Sequence, residues 1–295
     1  MDRRAFLGTA LMTGAATRIG WGADPTARGV EIGAFEKIFQ RLSYDEIGRR
    51  MAELGLDGIE ATIRPGGHIE PERAADELPA AVEALRKHGR RIVVMASGIN
   101  RADQPGAADL LKLAKRLGIT RYRMNYYRYD LKKSPRAQVE EFKAQARDLA
   151  ALNREIGIQA VYQNHAGANM VGAVLWDLDA VLGEIPKEEI GVGLDLRHTL
   201  VESGEAWKTG MALVRPRIAM IYAKDFKWEK NRPVNVALGT GRVTKEVFKE
   251  ATKGIDVPAM ALHVEYFGHK PLAPEALGPV MEAHGNDLKT LRSWM

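Results

Sequence analysis

From Val30 onward one pattern returns at intervals of roughly 28 to 41 residues: a short apolar run, a polar break, then an amphipathic stretch closing on glycine. Eight such units fit the chain, with strands expected at 30–34, 58–62, 91–96, 121–125, 158–162, 190–195, 218–223 and 259–264. Strands alternating with helices imply parallel pairing through right-handed crossovers, and eight units close into a single (β/α)8 TIM barrel, an α/β fold. A doubly wound open sheet is the alternative. It usually carries a glycine-rich dinucleotide turn after its first strand; "VEIGAFEKIF" has none, so no nucleotide cofactor is expected.

The helices announce their ends. Ser43 with Glu46 three residues on makes a capping box, and Gly55 closes that helix. Ser134-Pro135 supplies a cap and a first-turn proline, after which Val139, Phe142, Ala146 and Leu149 keep helical spacing up to Gly157. "LLKLAKRLGI" ends the same way at Gly118. No linker or low-complexity segment interrupts the series, so residues 28–295 are expected to form one domain.

The first 25 residues differ. Arg3 and Arg4 stand directly before Ala5-Phe6-Leu7, followed by a weakly apolar Gly/Ala/Thr-rich run with no acid until Asp24. This resembles a twin-arginine export signal, which implies handling by the twin-arginine machinery and a periplasmic destination. A frayed N-terminal helix is the other reading. The run is too short for a stable membrane anchor.

Residues 1–24 hold three arginines and two aspartates, so about +4 of the net +5 belongs to the rest of the chain. That excess is too small to argue for nucleic acid as a partner. With no cysteine there is no disulfide, and the oligomeric state stays open.

In a parallel barrel all strands open their C-terminal ends on one face, where reactive groups collect. The exits present Glu60, Ser97, Asn125, Gln163 with His165, Asp195 with His198, Lys224 with Asp225, and Glu265. Asp195 leaves the apolar run "IGVGL", so its carboxylate needs a nearby cation unless it merely caps the next helix. Alternation turns His263 away from the surroundings of Glu265, which favours a packed histidine. Tyr126, Tyr127 and Tyr129 either face a sugar or pack their own loop.

The stretches "GLDGIEA", "QNHAG", "GVGLDLRHTLVESGE", "YAKDF", "ALGTGRV" and "HVEY", in this order, resemble the xylose isomerase-like barrel family of sugar isomerases and epimerases. The likeness covers essentially the whole chain after the signal, and "RPGGHIEPERAADELPAAVEALRKHG" follows the family's second loop and helix.

The resemblance implies a divalent ion (Mn, Mg, Zn or Co) held by Glu, Asp, His and Glu on the last four strands. Those positions are Gln163, Asp195, Tyr222 and Glu265 here, so the ligand set is incomplete: Gln163, Asp195 and Glu265 remain. The resemblance also implies a carbohydrate substrate and proton abstraction next to a carbonyl. Glu265, His165 and Lys224 are then the expected catalytic residues, with Glu60, Arg64, His68, Asn125 and His198 expected on the substrate. Lys224 can also supply the positive charge that a metal otherwise would. The expected activity is isomerisation or epimerisation; a lyase or hydratase acting on keto sugars and a non-catalytic sugar-binding barrel are the rivals. The family's DNA-repair branch needs a multinuclear site rich in histidine, which seven histidines in this chain do not suggest.

Overall fold

The computed structural model describes residues 29–268 and 270–295, and the expected export segment, 1–25, lies outside them. The strands are β1 (Glu31–Phe35), β2 (Gly58–Ile63), β3 (Arg91–Ser97), β4 (Arg121–Arg123), β5 (Gln159–Gln163), β6 (Ile190–Asp195), β7 (Ile218–Ala223), β8 (Asp225–Glu229), β9 (Arg232–Val236) and β10 (Ala259–Leu262). Of these, β1 to β7 and β10 close a parallel barrel in the order β1-β10-β7-β6-β5-β4-β3-β2, so the fold is an α/β TIM barrel. Around it run α1 (Tyr44–Leu54), α2 (Ala74–Lys87), α3 (Ala107–Arg116), α4 (Pro135–Ile156), α5 (Leu175–Leu182), α6 (Leu196–Ser203), α7 (Trp207–Val214), α8 (Lys245–Thr252) and α9 (Gly278–Trp294). Among the described residues no helix is long and apolar enough to cross a membrane.

Alternation along the strands, interrupted in β3 where the pairing with β2 skips Val93, builds two cores. Val93, Val94, Val161, Met220, Tyr222, Ala259 and Ala261 fill the barrel centre, while neighbours such as Ile221 and Ala223 face the helices. Tyr222 occupies its place because Gly193, on the adjacent β6, has no side chain. A Cβ there would fall 2.5 Å from the tyrosine ring.

The helix signals are realised with two differences. Ser43 Oγ accepts from Glu46 N–H at 3.2 Å, and Gly55 closes α1 at φ 73°. The Glu46 carboxylate, however, accepts from Arg49 and Arg50 at 2.7 and 2.9 Å, so the reciprocal half of the capping box yields to two closer cations. Ser134 takes the extended geometry of a cap with no side-chain bond, leaving Pro135 as the signal that starts α4.

The pair β8–β9 was not anticipated. It is an antiparallel hairpin whose two turn residues, Lys230 and Asn231, both take positive φ (47° and 61°). Behind it, the Asp225 carboxylate accepts from the backbone N–H groups of Phe226, Gly239, Gly241 and Val243 at 2.7, 3.0, 2.7 and 2.7 Å. The glycines of "LGTG" are explained by this clasp, since a Cβ on Gly241 would stand 2.2 Å from the Phe226 carbonyl oxygen.

Candidate functional site

A cavity of about 290 Å³ opens over the C-terminal ends of the barrel strands. Its size is at the lower end for ligand pockets and suits a small molecule. Of the residues expected on the substrate or in the reaction, Arg64, His165, His198, Lys224 and Glu265 line it, as does Gln163 from the expected ligand set.

The walls are tied by a chain of hydrogen bonds that runs nearly all the way round. Arg123 Nε donates to Glu60 at 2.6 Å, and its Nη1 donates to the Tyr126 hydroxyl at 3.0 Å. Tyr126 donates on to Gln163 Oε1 at 3.0 Å, and Gln163 Nε2 donates to Asp195 Oδ2 at 2.8 Å. Lys224 Nζ then bridges Asp195 at 3.1 Å and Glu265 at 3.2 Å. From the other end, His263 Nε2 donates to Glu60 Oε2 at 2.6 Å. The chain stops between His263 Nδ1 and Glu265 Oε1, which are 3.8 Å apart.

Gln163 accepts from Tyr126 through Oε1 and donates to Asp195 through Nε2, so the orientation of its amide is set by its neighbours. Burial opposes charge on Lys224, but Asp195 and then Glu265 outweigh it and hold the ammonium protonated. Burial likewise opposes ionisation of Glu60, yet Arg123 and His263 prevail and bring its pKa down to about 2.

Two histidines face each other across the cavity wall, with ring centres 3.9 Å apart. Burial, reinforced by the Lys224 charge, lowers His165 to about 4 and His198 well below its ordinary value. Both rings are therefore neutral at pH 7. His165 Nδ1 lies 2.8 Å from the Ala166 carbonyl, to which it must donate, so the basic lone pair sits on Nε2. In His198 the roles reverse: Nδ1 accepts from Arg197 at 2.9 Å, and Nε2 carries the proton, 3.7 Å from Asp195.

Several expectations change. Glu60 is fully buried behind the cavity, because its neighbours Arg123 and His263 close over it. His68 leaves the mouth to stack on Tyr44 at 4.3 Å, with Nδ1 3.4 Å from Glu36. Asn125 is exposed and turns its side chain to the N–H of Tyr126; β4 ends at Arg123, two residues earlier than expected. His263 is packed as expected, 4% exposed and stacked on Phe35 at 4.6 Å, yet it also lines the cavity, because β10 ends at Leu262 and strand alternation no longer applies. Asp195 takes both roles foreseen for it, accepting from His198 N–H as the cap of α6 while pairing with Lys224.

Phe35, Lys37, Arg123 and Arg197 were missed although they line the cavity. Each lies at or just beyond a strand end, and the reading of exits favoured acids, amides and histidines. Tyr126 faces the cavity, whereas Tyr127 stacks on Phe142 at 5.0 Å and Tyr129 packs edge-on to it at 5.8 Å.

The side chains do not fit a divalent cation. Among the described residues no group of three His, Cys, Asp or Glu could hold one. Gln163 turns its amide nitrogen, not its oxygen, to Asp195, and Tyr222 is buried with its hydroxyl unpartnered. Lys224 already bridges the two carboxylates. A doubly charged ion about 4 Å from that ammonium would be repelled by roughly 8 kcal/mol at an effective dielectric of about 20.

A model of the "Xylose isomerase-like TIM barrel" family matches residues 49–294. No curated protein matches at a significant level. Among solved structures, the probable 3-DHS dehydratase AsbF of petrobactin synthesis from Bacillus anthracis superposes with a TM-score of 0.65 at 15% identity, covering 89% of this chain and 99% of that one. The 3-keto-D-glucoside 4-epimerase YcjR from E. coli does so at 0.64 and 14%, covering 90% and 99%. A xylose isomerase-like TIM barrel protein from Mycobacterium smegmatis in complex with magnesium gives 0.63 and 15%, covering 92% and 99%. At such identities the likeness is one of fold.

Proposed function

Because this chain belongs to the xylose isomerase-like TIM barrel family, we propose that it abstracts a proton next to the carbonyl of a sugar or sugar derivative, giving isomerisation or epimerisation. The observation that carries this reading is the Glu265–Lys224 pair. Glu265 is the carboxylate lining the cavity among the described residues, and the ammonium 3.2 Å away is buried and charged. An ammonium has three N–H donors, and Asp195 and Glu265 take two of them. The third serves the substrate carbonyl. Glu265 takes the α-proton, the C–H pair becomes a C=C bond, and the carbonyl π pair moves to oxygen, where Lys224 stabilises the enolate. When the hydroxyl proton on the α-carbon passes to the enolate oxygen and the abstracted proton returns to the former carbonyl carbon, the carbonyl moves by one carbon and the sugar is isomerised; a proton delivered to the other face of the α-carbon epimerises it. Neutral His165, with its lone pair on Nε2, accepts from a sugar hydroxyl or serves as a second base.

One observation favours a second reading. Gln163 stands where the resembling enzymes have a second glutamate, so among the described residues a single carboxylate lines the cavity. One-base chemistry suits elimination, in which the enolate expels a substituent from the β-carbon, as in a lyase or hydratase acting on keto sugars. Incubation with ketoses and keto-glycosides in D₂O, followed by product NMR, separates the readings. Deuterium retained at an α- or neighbouring carbon of an isomeric product supports the first, and an unsaturated product with a released group supports the second. The absence of both exchange at any carbon and a released group would reduce the protein to a sugar-binding barrel.

The proposal extends to residues 1–25 as an export segment that delivers a barrel of residues 28–295 to the periplasm, supported by Arg3-Arg4 before Phe6-Leu7. Lysine at both Arg3 and Arg4 should retain the protein in the cytoplasm; continued export would refute it.

A further inference from the structure

The cavity carries more positive charge than the chemistry above uses. Its cations are Lys37, Arg64, Arg123, Arg197 and Lys224. Glu60 neutralises Arg123, and Asp195 with Glu265 neutralises Lys224. Arg197 is held by neutral groups: Nε donates to Asn235 at 3.1 Å and Nη1 to His198 at 2.9 Å.

Lys37 and Arg64 are different again. Among the described residues neither side chain makes an ion pair or a hydrogen bond, although both line the cavity. Lys37 stands just beyond β1 and Arg64 just beyond β2, and these strands are paired, so both cations come from one corner of the mouth. Glu36, next to Lys37 in the chain, is already taken: its carboxylate accepts from the Thr62 N–H and hydroxyl and lies 3.5 Å from the Tyr44 hydroxyl. Burial and then Arg64 lower Lys37, with Glu265 opposing them; burial and then Arg123 lower Arg64, with Glu60 opposing them, and both groups end below their ordinary values. Neighbouring cations without a carboxylate between them are unfavourable in a half-buried wall unless a ligand brings negative charge.

We propose that Lys37 and Arg64 form an oxyanion subsite, so that the substrate is a sugar derivative bearing a carboxylate or a phosphate ester. This rests on the reading of the cavity as a sugar site. The guanidinium fork of Arg64 is suited to two oxygens of the anion and Lys37 supplies a point charge, while the rest of the molecule extends toward Lys224 and Glu265.

The test is calorimetric titration of the full chain with D-gluconate, D-glucose 6-phosphate and neutral D-glucitol, at low and high salt. At least one anion should bind about tenfold or more tightly than glucitol, with the advantage shrinking as salt rises. The tighter of the two anions tells carboxylate from phosphate. The double variant Lys37→Met, Arg64→Gln should remove the advantage, while Arg64→Lys, which keeps the charge and loses the fork, should restore part of it. Circular dichroism checks that each variant is folded. Equal affinity for glucitol and both anions, no binding of either anion at millimolar concentration, or an undiminished advantage in the folded double variant would overturn the proposal. These readouts need no turnover. A failure of deuterium exchange would therefore sink the proton-abstraction reading without touching this one.

Discussion

Two charge clusters share the barrel mouth and are built from the same materials, carboxylate, cation and histidine. In the inner one, Glu60 receives Arg123 and His263 at 2.6 Å each, and all three residues are at most 4% exposed. In the outer one, Lys224 is divided between Asp195 and Glu265 at 3.1 and 3.2 Å, and Glu265 reaches the cavity. The inner cluster has one acid saturated by two donors, which braces β2, β4 and the end of β10 against each other. The outer cluster has one donor shared by two acids, with a spare N–H beside open space. Burial and the ratio of donors to acceptors, not residue type, separate a saturated brace from a cluster that keeps a donor to spare.

The largest effect should come from breaking the brace. Arg123→Met leaves the Glu60 carboxylate buried with only His263, and should lower unfolding free energy by about 3–5 kcal/mol in a denaturant titration. A loss below about 1 kcal/mol would mean that the two clusters do not differ as described.

Glu265→Gln tests the other side. It should slow turnover by about 10² or more, roughly 2.7 kcal/mol in the barrier, and leave stability nearly unchanged. Near-normal rates would move the base to His165 or Lys224.

Acid should separate the clusters by pH. His165 stays neutral down to about pH 4 in the folded chain, so the unfolded chain takes up a proton below about 6.5 that the fold refuses, and stability falls with pH across that window. Glu60, held at about 2, contributes stability that is complete above about 4.5 and lost as pH falls from there to about 2. Each proton gives a slope of at most about 1.4 kcal/mol per pH unit. His165→Gln should flatten part of the upper limb of a stability–pH curve and spare the lower. His198 and His284, also lowered by burial, act in the same sense, while Asp287, raised to about 6 by burial, acts in the opposite one.

The smallest effect expected is that of a chelator. Dialysis against EDTA should leave Tm and turnover unchanged, whereas a resident ion at a hundred times its Kd would add about 2.7 kcal/mol. The double variant Gln163→Glu, Tyr222→His should still bind metal weakly while Lys224 remains. A drop in Tm reversed by magnesium or zinc would show that Lys224 moves aside for a cation.

The barrel was legible because its signals are local. Eight apolar runs placed eight strands, and Ser43, Gly55 and Gly157 marked helix ends with their own φ and hydrogen bonds. The site was legible only as a set of exits. Nothing local in the sequence pairs Glu60 with His263, 203 residues away, since their contact depends on β2 and β10 both flanking β1 in the closed ring. Arg123 was overlooked in a strand of three residues, too short for alternation to be read. The hairpin β8–β9 escaped because "DFKWEKNRPVNV" carries a turn whose residues, Lys230 and Asn231, are not the usual Asn-Gly pair.

Gly193 and Tyr222 deserve a view over evolutionary time. The ring passes where any Cβ at position 193 would lie, so a larger residue there must first wait for the tyrosine to shrink. Shrinking it to histidine opens a void at the barrel centre that glycine cannot fill, a loss of the kind that costs a few kcal/mol in packed cores. Each residue thus makes the other hard to replace, and passage between this lysine-centred mouth and a histidine-bearing metal site must cross a less stable intermediate. The two positions are coupled, and a change at either one is felt at the other.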